Sequence, residues 1–177
     1  RDRSVSRGLG DVYKRQLVRY IMQNCDWCNL SEKDRKWLLI ENASWTVYLA
    51  DRQDYPGRCI LILKRHCSCL SDLTTAEWTD LKPLIDRLEH CFKETLDAEM
   101  CNWNCLLNDA YKSNSPCPHL HLHVRPRYKN PFYLNGKIFY DKEFGHHYDI
   151  HKETCISQAE ETYHILYDLL KRALSSL

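Results

Sequence analysis

Three histidines at alternate positions, His119, His121 and His123, are the residues of this sequence best suited to chemistry. They lie in residues 118–127, where apolar residues fill the positions between them. Side chains of a β-strand alternate between its two faces, so this spacing predicts a strand with three imidazoles on one face and a core-facing apolar side. Imidazole titrates near neutral pH and serves as nucleophile, proton carrier or metal ligand. The stretch is therefore the predicted reaction centre.

Composition limits the classes of function. The 177 residues suit one domain with a substantial core, and 25 basic residues nearly balance 24 acidic ones. This balance gives no bulk electrostatic case for nucleic-acid binding, and no apolar run approaches membrane-spanning length. Several of the ten cysteines, such as Cys59, Cys91 and Cys105, sit inside apolar runs, where free thiols behave as small hydrophobes. We expect reduced thiols, a cytoplasmic protein, and no nucleic-acid or membrane partner.

The first 16 residues differ from the rest of the chain because they show no apolar periodicity. Residues 11–16 read Asp-Val-Tyr-Lys-Arg-Gln and resemble the translated end of a sequencing-library adapter. We therefore expect residues 1–16 to be a non-native or disordered leader outside the fold. Residues 17–177 are expected to form a single domain, with its core at about 25–127 and a C-terminal extension at 128–177.

Apolar patterns predict the strands around the histidines. Residues 36–51 predict an antiparallel strand pair, residues 58–64 a fully buried strand, and residues 101–107 a further strand. Asn135-Gly136 lies between two short aromatic-rich runs, which predicts a tight hairpin after the histidine strand.

Two amphipathic helices are predicted. Residues 74–96 carry apolar residues at helical spacing, and Thr74 with Glu77 forms a capping box at the start. Pro83 removes one hydrogen bond inside this helix, which predicts either a kink or a helix that begins nearer Pro83. The second helix ends the chain.

Cys25 and Cys28 have the spacing that lets two thiolates reach one metal ion or each other. The pair is half of a zinc site or a redox motif. We favour zinc because the helix and parallel sheet that accompany redox motifs do not follow it. Two thiols without a special role are the remaining interpretation.

The polar segment 108–116 immediately precedes the histidines. Its amides and hydroxyls, Asn108 and Ser115 among them, are suited to donating hydrogen bonds to a phosphate group. A solvated turn is the alternative interpretation of the same residues.

The seven residues from His119 to Arg125 resemble the histidine triad pattern, His-φ-His-φ-His-φ-φ with φ mostly apolar, apart from Arg125 at the last position. Pro126-Arg127 resembles the ending found in the dinucleoside polyphosphate hydrolase-like branches of that family. The order of Lys64-Arg65-His66, the long helix and Asn108-Asp109 is similar as well. The resemblance implies an α+β fold with an antiparallel sheet of about five strands and one long helix, completed here by a C-terminal hairpin and helix. It also implies a homodimer.

The resemblance implies a mechanism too. The middle histidine, His121, would attack the α-phosphate of a nucleotide ester, anhydride or phosphoramidate and form a nucleotidyl-histidine, which water or an acceptor resolves. His123 would orient it, and His119 would assist proton transfer or bind zinc. Asn108 and Ser115 would hold phosphate oxygens.

Further site residues come from the same resemblance. Asp51 stands one residue from the usual ribose-binding position, and Arg127 is assigned to the substrate as well. In zinc-bearing branches the cysteine pair binds the metal together with two histidines, in a closed tetrahedral structural site. Here these ligands map onto Cys25, Cys28, His66 and His119.

Two departures weaken the substrate assignment. Asn114-Ser115-Pro116 stands where many members carry Gly-Gln-Ser or Gly-Gln-Thr, and Ala110 stands at a usual glycine. Dinucleoside polyphosphate hydrolysis is the leading prediction. One alternative is a metal-dependent hydrolase in which the alternating histidines bind a catalytic metal. The other is a non-catalytic nucleotide-binding module that lost turnover through the Ser115-Pro116 change.

Overall fold

The computed structural model describes Gln16, Tyr20, residues 23–148 and residues 155–177. Its α-helices are α1 Glu32–Arg35, α2 Thr75–Leu96 and α3 Glu161–Ser176, and short 3-10 helices cover Leu70–Asp72 and Asn108–Lys112. Its strands are β1 Leu38–Glu41, β2 Trp45–Leu49, β3 Arg52–Gln53, β4 Cys59–Leu63, β5 Met100–Asn104, β6 His121–Arg127, β7 Phe132–Leu134, β8 Lys137–Phe139 and β9 Ile156–Ser157.

Five strands form one antiparallel sheet in the spatial order β1, β2, β4, β6, β5. The histidine strand β6 lies between β4 and β5, so His123 is opposite Ile60 on one side and Asn104 on the other. His121 is opposite Ile62. The predicted sheet is confirmed. The histidine strand is shorter than the predicted 118–127, because β6 begins at His121: it carries His121 and His123, and His119 lies just before it.

The opposite face of the sheet forms the hydrophobic core. Trp45, Val47 and Leu49 alternate inward along β2, and Leu61 and Val124 continue the same face across β4 and β6. The long helix α2 packs on this face, and α3 lies against both α2 and β1. The apolar core therefore fixes which face of β6 is left for the histidines.

Helix α2 begins at Thr75 with the predicted capping box. The Thr74 hydroxyl accepts a hydrogen bond from the Glu77 amide, and the Glu77 carboxylate accepts one from the Thr74 amide. The alternative start near Pro83 is wrong. Pro83 is tolerated within the helix because it lies on the exposed side, where water can satisfy the carbonyl that it leaves unpaired.

The C-terminal extension contains the predicted hairpin and helix. Asn135 and Gly136 join β7 to β8 with φ angles of 48° and 71°, the left-handed pair that suits a two-residue hairpin turn. Helix α3 returns to the sheet, where the Tyr163 hydroxyl donates to the Leu49 carbonyl at 3.1 Å. The fold class predicted from the sequence is thus confirmed in its sheet, long helix, hairpin and final helix.

The predicted leader falls on residues outside the described part of the chain, except for Gln16. Within the described residues, no helix combines the length and the apolar character needed to cross a membrane.

Candidate active site

His121 is held by its neighbour's backbone. Its Nδ1 lies 2.8 Å from the carbonyl oxygen of His119, and because a carbonyl only accepts, Nδ1 carries the proton. Nε2 therefore keeps its lone pair. The ring is 7% exposed and stacks on Trp27, with ring centroids 4.3 Å apart and planes 27° from parallel. Burial lowers the pKa of His121, while the His119 carbonyl raises it to a smaller extent.

His123 stands beside His121 on the same face. The two rings meet edge to face, with centroids 4.9 Å apart. Burial, followed by the neighbouring His121, lowers the pKa of His123 to about 3, so the ring is neutral at physiological pH. Its Nδ1 is buried and has no hydrogen-bond partner among the described residues.

Four side chains, two cysteines and two histidines, converge just before the start of β6. The Cys25 and Cys28 sulfurs lie 3.3 Å and 3.4 Å from Nδ1 of His119, and the Cys28 sulfur lies 3.5 Å from Nδ1 of His66. All four potential ligand atoms lie within 4.8 Å of one another. Tetrahedral zinc with thiolate and imidazole ligands spaces its donors by about 3.5 Å, so the set fits this metal.

His119 has both ring nitrogens committed in this arrangement. Its Nε2 donates a hydrogen bond to the Leu63 carbonyl at 2.7 Å, which leaves the lone pair on Nδ1, facing the two cysteines. This is the outer hydrogen bond that typically orients a metal-ligating histidine. Of the two roles expected for His119, the geometry therefore favours metal binding over proton transfer.

A cleft of about 450 Å³ opens beside Trp27 on the histidine face of the sheet. Tyr48, Ile60 and Ile62 contribute an apolar wall, and Asp51 lies at its polar side. Trp27 belongs to both the cleft and the ring stack on His121. The sequence singled out the cysteines on either side of Trp27 but gave no signal for this contact.

Asn108 and Ser115 lie in the connection between β5 and β6, and both are exposed. Asn108 begins the 3-10 helix, and the Ser115 amide donates to the Ser113 hydroxyl at 3.1 Å. Asp109 in the same connection is exposed, and its pKa is lowered mainly by a hydrogen bond from Lys112. Its negative charge in turn raises the pKa values of His121 and His123 as a minor contribution.

Arg127 departs from the expectation that it contacts substrate. It is 1% exposed, and its guanidinium donates to Asp141 at 2.6 Å and 3.1 Å. Its remaining donors bond Asn102 and the carbonyls of Glu143 and His146. With its donors committed within the protein, Arg127 anchors the C-terminal extension instead.

The fold is an antiparallel sheet that carries two alternating histidines of β6 on the face opposite its hydrophobic core. Residues 32–130, more than half of the chain, match the family model of the HIT domain. The chain therefore belongs to the HIT domain family, and the resemblance noted in the sequence is confirmed.

Among curated proteins, the chain is similar to bis(5′-nucleosyl)-tetraphosphatase (asymmetrical) of Schizosaccharomyces pombe. The two are 28% identical over 88 residues, which is 50% of this chain and 47% of that protein. The match thus spans about half the length of this relative.

Solved structures share the fold. A hypothetical histidine triad nucleotide-binding protein from Sulfolobus tokodaii superposes with a TM-score of 0.62 at 15% identity, over 86% of this chain and 93% of that one. A Zn-bound histidine triad family protein from Mycobacterium smegmatis gives a TM-score of 0.53 at 20% identity, over 88% and 99% of the two chains.

Proposed function

We propose that this protein is a nucleotide hydrolase or nucleotidyl transferase that acts on the α-phosphate of a dinucleoside polyphosphate, with His121 as the nucleophile. One observation carries the proposal: Nδ1 of His121 donates a hydrogen bond to the His119 carbonyl, so Nε2 keeps its lone pair, and the ring stacks on Trp27, which lines the cleft. Membership of the HIT domain family and similarity to a bis(5′-nucleosyl)-tetraphosphatase support this substrate class.

In the first step, Nε2 of His121 attacks the α-phosphorus. A P–N bond forms, and the P–O bond to the remaining phosphates breaks, with its electron pair leaving on oxygen. The ring becomes positively charged, and the hydrogen bond from Nδ1 to the His119 carbonyl disperses that charge. His123, edge to face with His121, limits rotation of the nucleophile.

In the second step, water attacks the same phosphorus and the P–N bond breaks. The electron pair returns to Nε2 of His121, and the water proton is lost to solvent. An acceptor hydroxyl or phosphate in place of water would give nucleotidyl transfer. Neither step needs a second proton on His121. The ring proton stays on Nδ1, where it is hydrogen-bonded to the His119 carbonyl, throughout both steps.

The nucleoside would occupy the cleft beside Trp27. The indole and the apolar wall formed by Tyr48, Ile60 and Ile62 are suited to an aromatic base. Asp51, on the polar side of the cleft, is suited to a ribose hydroxyl. We propose Asn108 and Ser115 as phosphate contacts that form when substrate enters the exposed connection before β6.

We also propose that the metal group, Cys25, Cys28, His66 and His119, holds a structural zinc ion. Four protein ligands leave no open coordination position, so the metal would fasten the Cys25–Cys28 turn to the sheet. That turn carries Trp27, which stacks on His121. The metal group thereby supports the nucleophile without reacting itself.

The first test is trapping of the intermediate with an α-labelled dinucleoside tetraphosphate, followed by rapid denaturation. We expect acid-sensitive label on the wild-type protein and none on His121→Ala. His90→Ala, which removes an exposed histidine of α2, is the matched control and should label normally. Equal labelling of wild type and His121→Ala, or turnover without label, would contradict the mechanism.

The two alternative functions make different predictions. Among the described residues, the only group of three or more metal-ligating side chains is the metal group, and it does not include His121 or His123. This weakens the case for a catalytic metal on the alternating histidines. A non-catalytic binding module would retain nucleotide affinity in wild type and in His121→Ala but give no product from either.

A homodimer remains part of the proposal. β5 lies at the edge of the five-stranded sheet and leaves one side without a strand partner in the described chain. Light scattering after size-exclusion chromatography should give twice the mass of one chain, and a monomer mass would contradict this expectation.

A further inference from the structure

Four buried nitrogen atoms without a hydrogen-bond partner gather beyond His123. The described part of the chain contains six buried side-chain polar atoms of this kind, and four of them belong to this one region. They are Nε of Arg58, Nδ2 of Asn104, Nδ1 of His123 and Nη1 of Arg125. Buried polar atoms are rarely left unpaired, so such a concentration indicates a missing partner.

The register of the sheet explains why these side chains share one face. Asn104 is directly opposite His123, and Arg125 follows His123 by two positions on the same face. Arg58 lies two positions before Ile60, which is opposite His123. The four side chains therefore lie on the histidine face of the sheet: Asn104 beside His123, and Arg58, just before β4, with Arg125 on the side of His123 away from the metal group.

Among the described residues, the charges of this region do not balance. Arg58 and Arg125 both bond Asp54, at 3.2 Å and 3.3 Å, so two guanidinium groups share a single carboxylate. Arg125 is 3% exposed, and burial together with the positive charge of Arg58 lowers its pKa. A buried surplus positive charge is costly unless an anion joins it.

Tyr148 covers this region. Its ring centroid lies 4.3 Å from the guanidinium carbon of Arg125, so the ring occupies the face of the guanidinium and leaves Nη1, at the edge, without a partner among the described residues. The segment that bears Tyr148 is tied down through Arg127, which bonds Asp141 and the His146 carbonyl. The C-terminal extension thus covers Arg125.

We propose that Arg58, Asn104, His123 and Arg125 form an anion site for the phosphates of the leaving group. The missing partner is a polyphosphate oxygen, which accepts hydrogen bonds from guanidinium and amide donors and supplies the negative charge that the site lacks. This deepens the proposed function, on which it rests, because it makes the enzyme selective for nucleotides whose leaving group carries phosphate rather than a neutral amine.

The first test measures selectivity. We compare kcat/KM for a dinucleoside tetraphosphate with kcat/KM for a nucleoside 5′-phosphoramidate, whose leaving group has no phosphate. Arg125→Gln and the less buried Arg58→Gln are expected to lower the ratio of the two values by about ten- to a hundredfold, the usual effect of losing a charged hydrogen bond. Arg172→Gln, which removes an exposed guanidinium from α3, is the control. An unchanged ratio in both site variants would overturn the proposal.

The second test does not depend on turnover. Calorimetry with inorganic triphosphate should detect binding to the wild-type protein and to His121→Ala, with at least tenfold weaker binding to Arg58→Gln. Absence of binding to wild type, or equal affinity in Arg58→Gln, would mean that ordered water fills the site and would overturn the proposal. Binding that persists in a protein that fails the trapping test would instead contradict only the function of His121.

Discussion

Nδ1 of His121 donates a hydrogen bond to the backbone carbonyl of His119 across 2.8 Å. The ring of His119 in turn donates from Nε2 to the Leu63 carbonyl and directs Nδ1 to the cysteine pair. The residue that would bind the metal therefore also orients the proposed nucleophile. Stability of the metal group and reactivity of His121 should consequently change together.

Cys28→Ala is predicted to lose zinc and to lose stability. Removing one of four ligands opens the site, and the binding free energy of a structural metal is part of the folding free energy. We expect the zinc content by elemental analysis to fall to background and Tm to fall by more than about 5 °C, as a loss of ~2 kcal/mol implies for this chain length. Cys69→Ala, at an exposed cysteine outside the metal group, should retain both. Full zinc content in Cys28→Ala would contradict the assignment.

Trp27→Ala is predicted to lower kcat/KM for the nucleotide by about three- to tenfold, because aromatic stacking contributes roughly 0.5–1.5 kcal/mol beyond area burial. The indole stacks on His121 and lines the cleft. Trp27→Phe keeps an aromatic ring and should recover most of the activity. Trp27 lies between two proposed zinc ligands in the chain, so zinc content is measured as a control. It must be unchanged in both variants for the loss of activity to be assigned to the stack. An undiminished kcat/KM in Trp27→Ala would show that the stack has no part in the reaction.

Glu77→Gln is predicted to lower stability at neutral pH but not in strong acid. Arg65 donates to the Glu77 carboxylate at 2.7 Å and 2.9 Å, and mainly this contact lowers its pKa from 4.5 to about 2. A carboxyl pKa lowered by folding adds stability above about pH 4.5, and this stability is lost as pH falls towards 2.

The size of the Glu77 effect is limited by solvent. The Arg65 side chain is half exposed, so screening reduces the ion pair to about 1 kcal/mol, or roughly 2–4 °C in Tm at pH 7. Thermal unfolding of Glu77→Gln and wild type should converge at about pH 2. The exposed pair of Lys82 and Asp86 provides a control, because Asp86→Asn should change Tm much less. A deficit that persists unchanged at pH 2 would refute the electrostatic explanation.

Gly57→Ala is predicted to destabilise the fold by about 2–4 kcal/mol, from left-handed backbone strain and from a steric clash. Its φ is 87°, and an added Cβ would lie 2.6 Å from Cδ1 of Leu96. Gly145 has a similar φ of 83°, with no described atom within 4 Å of an added Cβ. Gly145→Ala should therefore cost about 1–2 kcal/mol, from strain alone. Chemical denaturation measures both losses of unfolding free energy. Equal losses in the two variants would show that the Leu96 side chain moves aside with no energetic penalty.

The sequence was sufficient to predict the five strands of the main sheet, the hairpin and the two longer helices because its signals there are local. Alternation of histidine and apolar residues predicted the face of β6, and Asn135-Gly136 predicted the hairpin. The metal group was found only through the family resemblance, since its cysteines and histidines lie far apart along the chain.

The sequence failed where side-chain roles depend on distant partners. Arg127 follows a proline that resembles the family pattern, which suggested that Arg127 binds substrate. In the structure it is paired with the carboxylate of Asp141, in the loop after β8. Arg125 stands at a usually apolar position, and its relation to Arg58 through Asp54 follows from the pairing of β4 with β6. Composition and periodicity contain no information about such contacts, which arise only when the register is fixed.

The burial of Arg127 also bears on where this protein can be divided. The family match ends at residue 130, yet the carboxylate of Asp141 that neutralises Arg127 lies beyond that boundary. Tyr163 and Lys171, which bond backbone carbonyls of β2 and β1, lie further still. A fragment ending at residue 130 would leave a guanidinium without its counter-ion and the edge of the sheet without cover. We therefore predict that the smallest fragment able to fold alone extends into α3, past the end of the family match.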